Sequence, residues 1–306
     1  NIGGWVSTIA YIYAPYMLFD SIARGASSEF AALAILPFVI YGFTRLAHYG
    51  QRIDFAFTVF AYAIFIPLHT LITLHGTAFL AIYCLFLWHT SSNPLRTFLQ
   101  LLTAGALAFL ITAFFWMPAI LETDAIKLHL ITDRLDHIDV TRHLRPLSDI
   151  LARPHIADPT QQNQTIPITL SWVQIILSVI GFVLIWRDGR TVYRKLMMFF
   201  SMVIIALVFL NTPSSSWLWQ NIPLMSYTQF PWRVLGIASL ALALTTGISI
   251  WHIWSKLPHF WSKSATFSVF ITLIAIYSIP WTYALYWDNV DLNDIRDVQN
   301  FERRTG

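Results

Sequence analysis

Several clusters in this chain combine residue types and spacings that could do chemistry. Tyr16, Asp20, Arg24 and Glu29 form the first, with Asp20 and Arg24 spaced i,i+4 for a helix and Glu29 at the edge of an apolar block. An ionised carboxylate there is costly unless it is paired or faces water. The cluster therefore reads either as a clamp of Arg24 with Asp20 or Glu29 that fixes the turn into a span, or as the polar floor of a substrate cavity. The second is Gln229-Phe-Pro-Trp-Arg233, an arginine two residues after a proline and beside Trp232, where an apolar block begins. A guanidinium in that place can clamp a phosphate with two parallel hydrogen bonds, aided by the positive end of the following helix. Interfacial anchoring by Trp232 and a snorkelling Arg233 fits the same residues.

A third cluster follows Trp116-Met-Pro-Ala-Ile-Leu-Glu122. If this stretch is helical, His129, Asp133 and His137 share one stripe at i, i+4 and i+8. Two imidazoles and a carboxylate can hold a divalent metal. The interleaved Arg134, Arg142 and Arg145 favour mutual ion pairs on a solvated face instead. His69 and His75 flank a turn between two apolar blocks, and histidines at a membrane boundary are candidates for function or for lining a cavity. No phosphate loop, Gly-rich dinucleotide turn, nucleophile elbow or His-Glu-x-x-His helix is present.

The elements that must position these residues follow from composition. Of 306 residues 56% are hydrophobic, against 19 basic and 16 acidic ones, which excludes a water-soluble globular protein. The apolar residues fall in continuous blocks near 28–47, 53–68, 76–92, 96–118, 168–186, 196–211, 232–254 and 265–285, each suited to a hydrocarbon core about 30 Å thick. Continuous runs exclude a transmembrane barrel. The fold expected is an all-α polytopic helical bundle of about eight spans, a single transmembrane domain over 1–306. The segment from Trp5 to Phe19 is read as an interfacial helix or the remainder of a truncated span. Cys84 has no partner in the chain for a disulfide.

Orientation comes from the short loops. Arg45 and Arg52, then Arg96, then Arg187, Arg190, Arg194 and Lys195, then Lys256 and Lys263 occupy alternate connections, which the positive-inside rule assigns to the cytoplasm. Of the acidic residues only Asp54 and Asp188 lie on that side, and the long polar segments, a loop at 119–167 and a tail at 286–306, lie on the other. Function is therefore expected on the outer face of the membrane. The net charge of +3 is explained by topology, so no nucleic-acid partner is expected.

Taken together, Ala14-Pro-Tyr16 leading to Arg24-Gly25 and Glu29, Trp116-x-Pro-Ala119-x-x-Glu122, and Gln229-Phe-Pro-Trp-Arg233 resemble bacterial polytopic membrane proteins described as "6-pyruvoyl-tetrahydropterin synthase-related", which look like GT-C glycosyltransferases. The resemblance spans about Tyr11 to Gly247. It implies transfer of a sugar from a polyprenyl-phosphate donor to an acceptor at the outer face, with membrane lipid and the lipid-linked sugar as partners. It also implies a catalytic carboxylate in a first outer loop that precedes Asn1, so the chain is read as a fragment and none of its carboxylates is assigned as general base. Arg233 is then expected at the donor phosphate, Arg24 as a source of positive potential or a partner of Glu29, and Trp116, Trp232 and Tyr16 against sugar or prenyl chain. Asp20, Glu122, Gln229, His69 and His75 complete the expected substrate-binding set. A divalent metal remains open as a cofactor. The alternative class is a lipid or polysaccharide transporter, or a noncatalytic membrane scaffold. A transporter is expected to carry midspan polar groups and repeat symmetry, whereas here the polar clusters gather at one boundary.

Overall fold

The computed structural model describes residues 2–122, 140–153, 168–188, 191–222, 225–228, 230–282, 294–297 and 299–300, and among them there are helices and turns but no strand. The longer helices are α1 (Ile2–Ile12), α3 (Ser27–Tyr49), α4 (Arg52–Leu68), α5 (Thr70–Thr90), α6 (Pro94–Ile111), α7 (Ala113–Leu121), α9 (Trp172–Asp188), α10 (Thr191–Leu210), α12 (Val234–Lys256) and α13 (Phe260–Ser278). Short helices α2 (Pro15–Leu18), α8 (Leu147–Ile150) and α11 (Ser216–Asn221) lie between them. Five stretches, Ser27–Tyr49, Thr70–Thr90, Pro94–Ile111, Tyr193–Leu210 and Pro231–Lys256, are long and apolar enough to cross a hydrocarbon core, which makes this an integral membrane protein. The expected blocks at 53–68 and 168–186 fall on helices of 17 residues, and Ser262–Ser278 is likewise a shorter apolar helix.

The block expected to run unbroken over 96–118 is divided. Thr112 leaves helical geometry at φ −91° and ψ 11°, ending α6 and starting α7. Carbonyls freed by such a break need donors in an apolar setting. Thr112 Oγ1 donates to Ala108 O and Phe109 O, and the Trp116 indole N–H also donates to Phe109 O at 2.8 Å.

The helices cluster into two compact units. One comprises Ala26–Arg145 and Met202–Leu240. Its frame is α3, whose buried Leu33, Leu36, Val39, Ile40, Phe43 and Leu46 recur at helical spacing and face α4, α5 and α6. Gly42 permits close approach of α4: a Cβ there would lie 3.1 Å from Thr58 Cα. Hydrogen bonds between Thr44 and Tyr83 (2.8 Å) and between Tyr62 and Thr77 (2.9 Å) join the helices laterally. Gly50, at φ +64°, ends α3 in the left-handed conformation, and its carbonyl accepts from Arg96 and Gln100. At the opposite end of α4, Pro67 lies in the last turn, and the single Thr73 O–H is shared between the Phe65 and Ile66 carbonyls.

The other unit comprises Asn1–Gly25, Pro146–Ser201 and Ala241–Gly306. Val6, Leu177 and Ile250 form its buried apolar cluster, with Phe267, Phe270 and Ile271 packed around them. Small residues let the backbones approach: Gly247 meets Ser7 and the Gly3 carbonyl, and Gly181 meets Ser249. Polar side chains then tie the helices together. Ser178 Oγ bonds Thr245 Oγ1 at 2.8 Å, and Gln174 Nε2 donates to Ala10 O at 2.8 Å.

Candidate functional site

Glu29 stands in the first turn of α3, where a carboxylate is favoured by the helix dipole. It is fully buried. Arg233 closes the 3-10 turn Pro231–Arg233 immediately before α12, a position at which the dipole disfavours a cation. These two opposing situations are resolved together, because Arg233 Nε donates to Glu29 Oε2 at 3.1 Å. Arg233 Nη1 donates to the Thr228 carbonyl at 3.1 Å, and the guanidinium carbon lies 5.1 Å from the Phe230 ring centroid.

His69 approaches the same carboxylate. It caps α5 by accepting the Ile72 N–H at Nδ1 (3.2 Å), which in the neutral ring leaves the proton on Nε2. Nε2 is 3.8 Å from Glu29 Oε2. The N-terminal ends of α3, α5 and α12 thus meet around one carboxylate, each contributing partial positive charge.

Thr228 links this pair to the second histidine. While its carbonyl holds Arg233, its hydroxyl is 3.1 Å from His75 Nε2. His75 Nδ1 is buried with no hydrogen-bond partner among the described residues. The ring stands edge-on to fully buried Trp219, whose indole N–H donates to Leu210 O at 2.8 Å. Phe230 stacks against Trp232 with centroids 5.1 Å apart and meets His143 edge-on at 4.7 Å. The result is a buried ion pair with two imidazoles near it and an aromatic wall beside it. It can present charge-assisted donors to an anion or exchange a proton through histidine.

The expected site residues fall into distinct places. Glu29, His69, His75, Trp232 and Arg233 come together in this one unit. Tyr16, Asp20 and Arg24 belong to the other unit, where Tyr16 and Asp20 are fully buried and Arg24 Nη1 donates to Asp20 Oδ1 at 2.9 Å. Asp20 sits in a π-helical turn, Phe19–Ala23, whose next residue Arg24 donates its N–H back to the Phe19 carbonyl. Trp116 is spent on the α6–α7 junction and stacks on Phe109 at 4.3 Å, while Glu122 is exposed at the end of α7. Gln229 and the metal candidates His129, Asp133 and His137 lie outside the described residues. Among the described residues no group of three or more His, Cys, Asp or Glu is placed to hold a metal ion.

Thr228, Trp219, His143 and Phe230 were not expected in this site from the sequence. Their types carry no signal by themselves. The available signal was indirect: Glu29 and Arg233 both sit at the ends of apolar blocks on the same expected face, where each requires a partner. Comparison of the chain with protein-family models, curated proteins and solved structures finds no match.

Proposed function

We propose that this protein binds a polyprenyl-phosphate-linked sugar at the outer face of a bacterial cytoplasmic membrane and is part of a GT-C-like glycosyltransferase. The observation that carries the reading is the buried Arg233, held at the start of α12 by Glu29 and the Thr228 carbonyl. A guanidinium fixed in this way is oriented before a ligand arrives, which lowers the ordering cost of binding. A lipid phosphate offers the same acceptor geometry as the Glu29 carboxylate and competes for the same N–H groups. Three helix N-termini and the His69 Nε2–H favour the added negative charge. Phe230, partly exposed, provides flat apolar surface for a sugar ring or the first prenyl units, with buried Trp232 stacked behind it.

The competing reading is a noncatalytic scaffold or a lipid or polysaccharide transporter. It is favoured by the fact that Arg233 already has strong protein acceptors, an arrangement that would serve to clamp α3 to the segment before α12. Binding separates the two. The protein in nanodiscs, titrated with a polyprenyl-phosphate hexose, is expected to bind saturably, and Arg233→Lys is expected to weaken binding at least tenfold, about 1.4 kcal/mol. Lysine keeps the charge and loses the fork. No saturable binding by the folded wild type would leave the scaffold or transporter reading in place.

A further inference from the structure

In the unit containing α9, an exposed apolar stripe leads to a basic helix end. Ile176, Val179, Ile180, Val183 and Trp186 succeed one another at helical spacing, all exposed, with Val179 at 57% and Trp186 at 46%. Arg187 follows at once and is exposed as well. An acyl chain lying along this stripe would reach Trp186 at the level where tryptophan favours the membrane interface, and its headgroup would meet Arg187.

The neighbouring charges make that end an acceptor for anions. Arg194 Nη2 donates to the Trp186 carbonyl at 2.7 Å, and its guanidinium carbon stands 4.7 Å from the Trp186 ring centroid. This bond ties the first turns of α10 to the last turn of α9. Exposed Lys195, the residue after Arg194, lies in those first turns of α10, and exposed Arg187 lies in that last turn of α9. Asp188, the acidic residue of α9 at this end, does not repel a ligand strongly. Asp188 Oδ2 is taken by Lys256 Nζ at 2.6 Å and faces His252 Nε2 at 2.9 Å, so its charge is spent inside the cluster. Arg187 and Lys195 form no ion pair among the described residues, and on the α12–α13 side Lys263 Nζ stands 4.6 Å from the Trp254 ring centroid.

We propose that Arg187 and Lys195, at the end of the exposed apolar stripe of α9, form a docking site for the headgroup of an anionic phospholipid. The stripe selects a lipid over a soluble anion, and the two unpaired cations select an anionic headgroup over a zwitterionic one. This site is independent of the Glu29 cluster and does not rest on the function proposed for it.

The test is competition between phosphatidylglycerol and phosphatidylcholine for the purified protein, read by native mass spectrometry and by melting temperature in nanodiscs of each lipid. Wild type is expected to retain phosphatidylglycerol at least tenfold over phosphatidylcholine and to melt higher in it. In Arg187→Gln/Lys195→Gln the preference is expected to fall to near parity, with melting in phosphatidylcholine unchanged. Should the double variant fail to fold, Lys195→Glu alone gives the same reading. Equal retention of the two lipids by wild type, or a preference that survives neutralisation, overturns the proposal. Stabilisation by inorganic phosphate to the same degree would also overturn it, since the site would then bind a soluble anion.

Discussion

Arg233 Nε lies 3.1 Å from Glu29 Oε2, although 204 residues separate them in the chain. Both side chains are nearly or fully buried, so neither can be left without the other. Removing one partner of a buried pair typically costs about 3 to 5 kcal/mol, whereas replacing both with apolar residues of similar volume is often close to neutral. Arg233→Ala and Glu29→Gln are therefore expected to destabilise the protein strongly, and Glu29→Leu/Arg233→Met to recover most of the loss. Unfolding in mixed micelles reads the difference. Single variants that lose less than about 1 kcal/mol would show that the pair is not a structural tie.

Thr228 serves Arg233 through its carbonyl and His75 through its hydroxyl. Thr228→Val keeps the first contact and removes the second. The expected cost is about 1 to 3 kcal/mol, because the change leaves His75 Nε2 without a partner, below that of Glu29→Gln. A loss as large as that of Glu29→Gln would mean that the hydroxyl, and not the carbonyl, organises the site.

Two glycines in helices test the close packing by the sign of their response. A Cβ at Gly181 would run into Ser249 backbone and side chain, while one at Gly105 meets nothing within 4 Å. Gly181→Ala is expected to destabilise by about 1 to 3 kcal/mol through overpacking. Gly105→Ala is expected to stabilise by up to about 1 kcal/mol through helix propensity. Melting temperatures moving in the same direction would contradict the packing described between α9 and α12.

Lys256 beside Asp188 is the principal cause holding that carboxyl below its usual range, with His252 adding to it. A carboxylate whose folded-state value is depressed contributes stability that is present above its ordinary value, near 3.9, and lost as pH falls through the folded-state value. Wild type is thus expected to lose stability below about pH 4 more steeply than Asp188→Asn. A melting profile between pH 3 and 6 reads this directly, and superimposable acid limbs for the two proteins would remove Asp188 from the account.

Composition and period alone determined the class of this protein. Continuous apolar blocks cannot be exposed to water and cannot leave backbone groups unpaired in lipid, so helices in a membrane were the available outcome. Two element edges carry residue types that the expected block bounds of 28–47 and 96–118 did not use: Gly50 closes α3 and Pro94 opens α6. The break at Thr112 was not, because threonine and its neighbours are compatible with an unbroken apolar helix, and the donors that stabilise the break become visible only once Trp116 folds back on Phe109. The same holds for the site. Glu29 was legible as a costly charge at an apolar boundary and Arg233 as a phosphate clamp or interfacial anchor, but their pairing across 204 residues depends on which helix ends meet. That was settled by tertiary packing, through close contacts such as Gly42 against Thr58 and through Thr228, which binds an arginine and a histidine with two different oxygen atoms.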